Sequence, residues 1–401
     1  MPIVLFSVLV AVAAVAFYAW QISLPGRVTA ILKEAQEAQR QGHLKDAEDA
    51  CLRALGCSRR MWLRQGDARV VTLYNLALVY MQQDKVSEAE DAAVRAYVAV
   101  AKIRGASPRT APLMALLAGI YKKLGKDLSA CPVFQASIPL LRSKYGPGSK
   151  EVGLALHELA VTLTRLGLPE KAIEPLEECL PILENHLGKD HHDITAALTN
   201  LGKALSESAQ YDAAESTYRR AIGIREAKSG PDDPEVALLL NNLAVTYKKQ
   251  DRIPEALECL ERSLAIREAR LGPNHPQVGL VLNNIANCRR LRKQYVEAEA
   301  AVTRAVTILE NPPHPSLAIA LDSFASLRAA QGRYEEAEQL FKRCLQMHES
   351  RPSSSLIELA DACERYADVL YKLQREKQAD ALMDKVGALR ATREKLLMPA
   401  A

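Results

Sequence analysis

Apolar residues along most of this chain recur at the spacing of amphipathic helices. In residues 230–271 they follow an i, i+3, i+4 pattern on both sides of a polar turn at 250–252. This pattern predicts two helices joined by a short turn, which is an αα-hairpin. Because one hairpin cannot bury its apolar face, we expect neighbouring hairpins to stack into a solenoid with a concave and a convex side.

Two columns of small residues indicate that the hairpin occurs nine times. Successive members are separated by 42, 41, 42, 42, 42, 42, 39 and 42 residues in both columns, and such shared irregular gaps are typical of an internal repeat. The first column consists of Ala35, Ala77, Ala118, Ala160, Gly202, Ala244, Ala286, Ala325 and Ala367. The second consists of Ala47, Ala89, Ala130, Ala172, Ala214, Ala256, Ala298, Ala337 and Ala379. The predicted repeat units are about 21–62, 63–103, 104–145, 146–187, 188–229, 230–271, 272–310, 311–352 and 353–394.

The links between units carry Gly and Pro, as in residues 230–234 and 272–276. Gly closes the preceding helix, and Pro is tolerated in the first turn of the next one. The sequence therefore predicts an all-α fold, a solenoid of about nine helical hairpins over residues 24–398, preceded by one transmembrane helix over residues 1–23.

The predicted transmembrane helix rests on the composition of the N-terminal segment. Residues 3–20 carry no charge, and about 20 apolar residues at about 1.5 Å each span a hydrocarbon core of about 30 Å. Phe17, Tyr18 and Trp20 stand at its C-terminal end, where an aromatic belt lies in membrane proteins. We therefore predict that residues 3–22 cross a lipid bilayer as an uncleaved anchor.

The orientation of this anchor follows from the charges around it. Arg27 and Lys33 come after the segment and no basic side chain precedes it, so the rest of the chain is expected to be cytoplasmic. A cleaved signal peptide is the alternative, because residues 14–16 form a small-residue cleavage pattern; the protein is then exported.

Composition and charge exclude several other classes. Hydrophobic residues make up 48% of the chain and charged residues 25%, which excludes a disordered protein. The net charge is +4 with no polybasic block, so we expect no nucleic-acid partner. The eight Cys form no C-x-x-C pair, and their spacing fits neither a zinc site nor a disulfide framework. We therefore expect the protein to lie in a reducing compartment.

No pattern in the chain indicates catalysis or a cofactor. There is no P-loop, no zinc-protease motif and no nucleophile elbow. The pair His191–His192 shares its linker position with His275 and His314, which favours a role at a helix start or facing solvent over metal binding. Cys179 and Cys344 occupy a position that holds small residues in other units, so packing is their expected role. The sequence predicts a protein that is not an enzyme and needs no cofactor or metal.

Residues 240–247 and 334–338 resemble the two helix signatures of the tetratricopeptide repeat. The 42-residue period with the linker 271–276 is similar to the subtype found in kinesin light chains, although the chain lacks their long heptad region. The resemblance covers about residues 21–394 and implies a right-handed superhelical solenoid. It also implies that partner proteins bind on the concave face, which the first helix of each unit lines.

In the resembled family, the residues that line the groove stand three positions before the first small-residue column and one, four and five positions after it. In this chain several of those positions carry amides, hydroxyls or cations. Amides pair with a peptide backbone, and Lys and Arg meet carboxylates, so the predicted ligand is an acidic segment, extended or partly helical. The predicted groove residues are Lys122, Lys123, Arg165, Thr199, Lys203, Asn241, Lys248, Lys249, Asn283, Asn287 and Arg290.

Two later units depart from the apolar pattern of the first helix. Arg289 and Arg328 stand in the column that holds Tyr80, Tyr121 and Tyr247 elsewhere. A charge in an apolar column must reach solvent or find a partner. These units are therefore expected either to be looser or to carry a separate basic contact.

Together these patterns predict a membrane-anchored adaptor or scaffold that binds partner proteins in its concave groove. One alternative is a structural or assembly factor that associates with copies of itself as a homo-oligomer. The other is an exported repeat protein, if the N-terminal segment is a cleaved signal peptide.

Overall fold

The computed structural model describes residues 26–58, 65–104, 111–350 and 356–397, and within these ranges the chain forms eighteen α-helices and no strand. This part of the chain is an all-α helical-repeat solenoid, as predicted. The handedness of the superhelix stays a prediction, and the anchor predicted for residues 1–23 lies outside the described residues. The helices are α1 Gly26–Arg40, α2 Leu44–Ser58, α3 Gln65–Gln82, α4 Val86–Arg104, α5 Ala111–Lys123, α6 Asp127–Tyr145, α7 Lys150–Arg165, α8 Pro169–Leu187, α9 His192–Glu207, α10 Tyr211–Ser229, α11 Pro234–Lys249, α12 Ile253–Leu271, α13 Pro276–Leu291, α14 Tyr295–Glu310, α15 Leu317–Ala330, α16 Tyr334–Glu349, α17 Leu356–Lys372 and α18 Glu376–Leu397.

The helices alternate between two roles. Odd-numbered helices are the first helices of the hairpins and even-numbered helices are the second. Two of the second helices run past the predicted unit ends at 103 and 394, because α4 continues to Arg104 and α18 to Leu397. The small-residue columns predict where each unit lies along the chain, but they do not predict the residue at which its second helix ends.

The chain divides into two compact units, Met1–Asn200 and Leu201–Ala401, with the boundary inside α9. We describe each unit by itself. Both contain hairpins of the same design, so the register of one repeat can be compared with that of another.

The two small-residue columns lie where the helices of a hairpin meet. Every Ala of both columns is at most 4% exposed, and Gly202 is also buried. A small side chain at these positions lets the two backbones approach closely. Both columns are therefore part of the packed interior of the hairpins.

Gly202 shows how tight this approach is. A Cβ atom added at Gly202 would stand 2.7 Å from the ring of Tyr218 in α10, which is well inside contact distance. Tyr218 is 1% exposed, so its ring fills the space that a methyl group fills in other units. The Gly in the first column and the large ring in α10 are thus complementary.

The turn inside each hairpin has a fixed backbone shape. Throughout the described residues, the position seven residues after the first column has a positive φ. Gly takes this left-handed conformation without strain, but Asp, Ala, Lys and Gln also adopt it here. The residues are Gly42, Asp84, Gly125, Gly167, Ala209, Asp251, Lys293, Gly332 and Gln374.

Histidine side chains cap three of the first helices or the turns that precede them. His191, His275 and His314 each accept, through Nδ1, a hydrogen bond from the backbone N–H two residues later, at 3.2, 3.2 and 3.1 Å. Asp233 does the same for α11 at 2.7 Å. The predicted role of these His residues at helix starts is confirmed.

A carboxylate in the second helix of one unit binds the first helix and turn of the next. Glu215 in α10 accepts hydrogen bonds from the Tyr247 hydroxyl and from Arg252, both at 2.8 Å. The guanidinium of Arg252 also lies 4.3 Å from the centre of the Tyr247 ring. Burial alone would raise the pKa of Glu215, but these donors hold it below its ordinary value. The same register recurs in the pairs Glu48–Lys85, Glu90–Lys126 and Glu338–Arg375.

Arg328 stands at the position that Tyr247 holds in its repeat, and it binds Glu299, the carboxylate at the position of Glu215. Its guanidinium binds both carboxylate oxygens of Glu299 at 2.6 and 2.7 Å and lies 3.2 Å from Glu336. It also stacks over the ring of Phe324 at 4.8 Å. The expectation that this charge finds a partner is confirmed. The expectation of a separate basic contact is wrong for Arg328, because internal carboxylates neutralise it.

The contact between Gly202 and Tyr218 gives a test of the packing. We expect Gly202→Ala to lower the free energy of unfolding by about 1–2 kcal/mol, since overpacking costs about 1–3 kcal/mol and removing a helical Gly returns only about 0.5–1 kcal/mol. Urea unfolding followed by circular dichroism measures this change.

The matched control is Gly223→Ala, on the exposed side of α10, where an added Cβ meets nothing within 4 Å. It should raise stability by about 0.5–1 kcal/mol. Adding Tyr218→Leu to Gly202→Ala should restore part of the loss, because Leu176 and Leu260 fill this position in other units. Equal effects of the two Gly substitutions would contradict the packing argument.

Candidate functional site on the first helices

Consecutive first helices are joined by hydrogen bonds between polar side chains 43 residues apart. Asn284 Nδ2 donates to Asn241 Oδ1 at 2.9 Å in the second compact unit. Asn200 Nδ2 donates to His157 Nε2 at 3.0 Å in the first. The donor stands two residues before the small-residue column, a position that the groove prediction did not include. An Asn side chain has donors and acceptors to spare, so these pairs still offer groups to a ligand.

The predicted amide and hydroxyl residues differ in what they offer. Asn241 and Asn287 are partly exposed, and Asn287 Nδ2 donates to Ser323 Oγ at 2.9 Å. Thr199 donates to the backbone of its own helix, at Thr195 O, over 2.7 Å. Asn283 is only 4% exposed, and its Oδ1 is unpaired among the described residues. Contrary to the prediction, it does not line an open surface.

The predicted cations of the first compact unit already have acidic partners. Lys122 binds Glu158, Lys123 Nζ lies 2.7 Å from Asp84, and Arg165 lies 3.0 Å from Asp127. Each acid belongs to a neighbouring repeat. Since these charges are neutralised internally, the prediction that they are free to meet a ligand carboxylate has no support from their contacts.

The cations of the second compact unit have weaker internal partners or none. Lys203 lies 3.8 Å from Glu207 one turn along its own helix, and Lys249 donates to the backbone oxygen of Ser206 at 3.2 Å. Lys248 and Arg290 are partly buried, and the side chain of neither makes an ion pair or a hydrogen bond with the described residues. We call Lys248 and Arg290, which hold the same position in consecutive repeats, the cation pair.

The repeat register explains why the cation pair lacks acids. Glu158, the partner of Lys122, stands two residues before the small-residue column of the following repeat. The same place after Lys248 holds Asn284, and after Arg290 it holds Ser323. Both neutral residues are already engaged, with Asn241 and Asn287 respectively.

The surroundings of the cation pair disfavour its charges. Burial lowers the pKa of Lys248, and the nearby charges of Arg290 and Lys249 lower it further. Burial also lowers the pKa of Arg290. Asp322 attracts Arg290 through space, but it is itself bound by Arg365 at 2.9 and 3.0 Å. A carboxylate brought from outside would therefore relieve an unfavourable arrangement.

Comparison with protein families agrees with this architecture. Profiles of the tetratricopeptide repeat match residues 109–185, 152–227 and 235–311, and a second such profile matches residues 317–350. Together these matches cover more than half of the chain. No curated protein matches the chain in sequence.

Several solved structures are similar in fold. The apo form of RapI is 12% identical with a TM-score of 0.65, covering 92% of this chain and 98% of its own. A Rap protein complexed with competence and sporulation factor is 13% identical with a TM-score of 0.57, covering 93% of this chain and 100% of its own. At these identities the likeness concerns the fold alone.

A kinesin-light-chain-type protein of Podospora anserina with nearly identical repeats is also similar. It is 21% identical over 51% of this chain and 97% of its own, with a TM-score of 0.45. A superposition this loose adds no argument about function. Among the helices of the described residues, none combines the length and the apolar character that a membrane crossing requires.

The bond between Asn200 and His157 gives a prediction for pH dependence. Because Nδ2 of Asn200 can only donate, His157 Nε2 must accept, and burial lowers the pKa of His157. When the pH falls from about 7 to about 5, the unfolded chain takes up a proton near the ordinary His pKa of about 6.5, whereas folded His157 takes it up only at lower pH. We therefore expect stability to fall with acidification in this range, and to fall less in His157→Asn.

Urea unfolding at the two pH values measures this difference. His157→Asn keeps an amide at the position, as in the Asn241–Asn284 pair. His43→Asn, at an exposed position, is the control with which the pH dependence of His157→Asn is compared. An unchanged pH dependence in His157→Asn would contradict this prediction, because it would mean that His157 binds its proton equally in the folded and the unfolded chain.

Proposed function

This chain belongs to the tetratricopeptide repeat family, and from that premise we propose that it is a non-enzymatic adaptor that binds a partner protein on the first helices of its second compact unit. The binding residues are Asn241, Lys248, Lys249, Asn287 and Arg290. The ligand is an acidic segment of the partner, extended or partly helical. The absence of any catalytic motif in the sequence is the basis for proposing no enzymatic role.

The observation that carries this proposal is that no acid of the described residues forms an ion pair with Lys248 or Arg290. Lys122, Lys123 and Arg165, predicted groove cations of the first compact unit, are matched by acids of a neighbouring repeat. Partly buried charges without partners destabilise a fold, and charge-assisted hydrogen bonds to carboxylates are the contacts that compensate them. An acidic ligand supplies the carboxylates that Asn284 and Ser323 do not.

The amides beside the cation pair support an extended peptide as ligand. Asn241 and Asn287 each use one group in contacts between helices and keep further donors and acceptors. Such groups match the alternating N–H and C=O of a peptide backbone. The Rap protein of similar fold is solved in complex with competence and sporulation factor, an example of this fold holding a ligand.

We further propose that residues 3–22 tether the protein to a membrane and that the repeats lie on its cytoplasmic side. The uncharged run of residues 3–20 and the basic residues Arg27 and Lys33 support this. In this arrangement the adaptor concentrates its partner at a membrane surface.

Neutralising the cation pair tests the binding site. We expect Lys248→Met with Arg290→Met to weaken binding of acidic peptides by about tenfold or more, because each charged hydrogen bond contributes about 1.5–3 kcal/mol. Fluorescence anisotropy with labelled acidic peptides, each compared with its amide-substituted counterpart, measures the change. Thermal unfolding should show that the variant is at least as stable, since two uncompensated charges are gone.

The matched control is Lys171→Met with Lys377→Met, two exposed lysines on second helices for which no ion pair occurs among the described residues. It removes the same net charge and should bind as the wild type does. Equal loss in both variants would reduce the effect to general electrostatics. Unchanged binding in a folded Lys248→Met, Arg290→Met protein would exclude this site.

Membrane attachment is tested separately in cells. Full-length protein should remain with membranes after alkaline washing, and deletion of residues 3–22 should release it, because the apolar segment is the proposed anchor. A reporter fused after residue 401 should be active only in the cytoplasm. An exported reporter would contradict this orientation and favour a cleaved signal peptide.

A further inference from the structure

Arg267 is a buried arginine that has no acidic partner in the part of the chain that the structure describes. It lies in the last turns of α12 and is 5% exposed. Its Nη1 donates to the backbone oxygen of Gln277 at 3.0 Å, and its Nε has no partner among the described residues. Burial lowers the pKa of this guanidinium. A charge this deeply buried is costly unless it is paired.

The preceding repeat shows what such an arginine normally binds. Arg225 holds the same position in α10, and its guanidinium lies 2.6 Å from Asp233 and 3.1 Å from Glu235. These two acids occupy the cap and the first turn of α11. The pKa of Asp233, which burial alone would raise, is held below its ordinary value by the Glu235 backbone N–H and Arg225.

In the repeat of Arg267 both acids are replaced by residues without a carboxylate. His275 stands where Asp233 stands, and Gln277 stands where Glu235 stands. The arginine thus keeps the register of Arg225 but has lost both of its carboxylates.

Packing does not require an arginine at this position. Leu183 and Leu309 occupy it in the repeats on either side of these two, and both are fully buried. An apolar side chain fits the same place in the hairpin, and a buried charge is often replaced by one without loss of stability. The guanidinium of Arg267 is therefore a chemical feature beyond what the repeat needs for its core.

We infer that Arg267 and the start of α13 form a binding site for an oxyanion of the carboxylate or phosphate type. The site lies at the junction of α12 and α13 and contains no residue of the proposed groove. The anion occupies the role that Asp233 and Glu235 play for Arg225.

Two further features of the junction favour an anion. The first turn of a sixteen-residue helix, Pro276–Leu291, carries the positive end of the helix dipole. His275 accepts through Nδ1 from the backbone N–H of Gln277, so in the neutral ring the proton is on Nε2. That N–H has no partner among the described residues, and it is a second donor of the same junction.

The test compares thermal unfolding of the full-length protein in acetate, in inorganic phosphate and in chloride at equal ionic strength. We expect acetate or phosphate to raise the midpoint of unfolding by about 2 °C or more over chloride, because a ligand that binds only the folded state stabilises it. A larger shift with acetate identifies a carboxylate as the preferred ligand, and a larger shift with phosphate identifies a phosphoryl group.

Three variants separate this site from general salt effects. Gln277→Glu restores an internal carboxylate, so its midpoint in chloride should be higher and its response to the anions should be smaller than that of the wild type. Arg267→Leu, which copies Leu183 and Leu309, should fold and should also respond less than the wild type. Gln339→Glu adds the same charge at an exposed position of α16 and should respond as the wild type does.

The proposal is overturned if the wild type shows no shift, or if Arg267→Leu and the wild type shift equally. These outcomes are independent of the peptide-binding test, because Arg267 is not among the groove residues. An independent readout is the Nε–H resonance of Arg267 in a spectrum of arginine side chains, which should move with anion in the wild type and keep its position in Gln277→Glu.

Discussion

The close approach of the two helices at the small-residue columns is the constraint on which the other contacts depend. Because Ala or Gly stands at each crossing, the two helices of a hairpin pack closely, and the contact between Tyr218 and Gly202 shows that even one methyl group matters. This close packing sets the register of each hairpin on the next. Polar residues can then meet at constant separations along the chain, as Asn284 and Asn241 do at 43 residues. Single exposed ion pairs contribute little to stability, so packing sets the register and the ion pairs follow it.

This fixed register makes the repeats comparable residue by residue, and the comparison locates the unusual sites. Glu215 binds Tyr247 and Arg252, while Glu299 binds Arg328 in the position of the tyrosine, so one carboxylate position serves two different partners. Where a repeat keeps the cation but not the acid, a charge remains without compensation. Such positions are informative because the neighbouring repeat shows the arrangement that is missing.

The sequence predicted the fold well because the fold depends on local periodicity. Apolar spacing, the two columns and the Gly-Pro links each reflect one hairpin, and the eighteen helices of the described residues follow from them. The candidate site was harder to predict. Lys122 and Lys248 occupy equivalent positions and are the same residue type, yet only Lys122 has an acidic partner. The difference comes from Glu158 and Asn284, which stand at the equivalent position of the following repeat, about 36 residues further along. It is not detected when the residues at each repeat position are considered separately.

The same argument applies to both proposed binding regions and distinguishes them from ordinary charged surface. A solvated lysine on an exposed helix face loses little by lacking a partner, since water compensates its charge. Lys248 and Arg290 are partly buried and Arg267 is almost completely so, which removes much of that compensation. For such residues the free protein lacks a contact that a bound anion supplies. The uncompensated charge destabilises the free protein, and relief of this destabilisation contributes to the free energy of binding. The count of cations along a groove therefore says less about its ligand than the count of cations whose acids are missing.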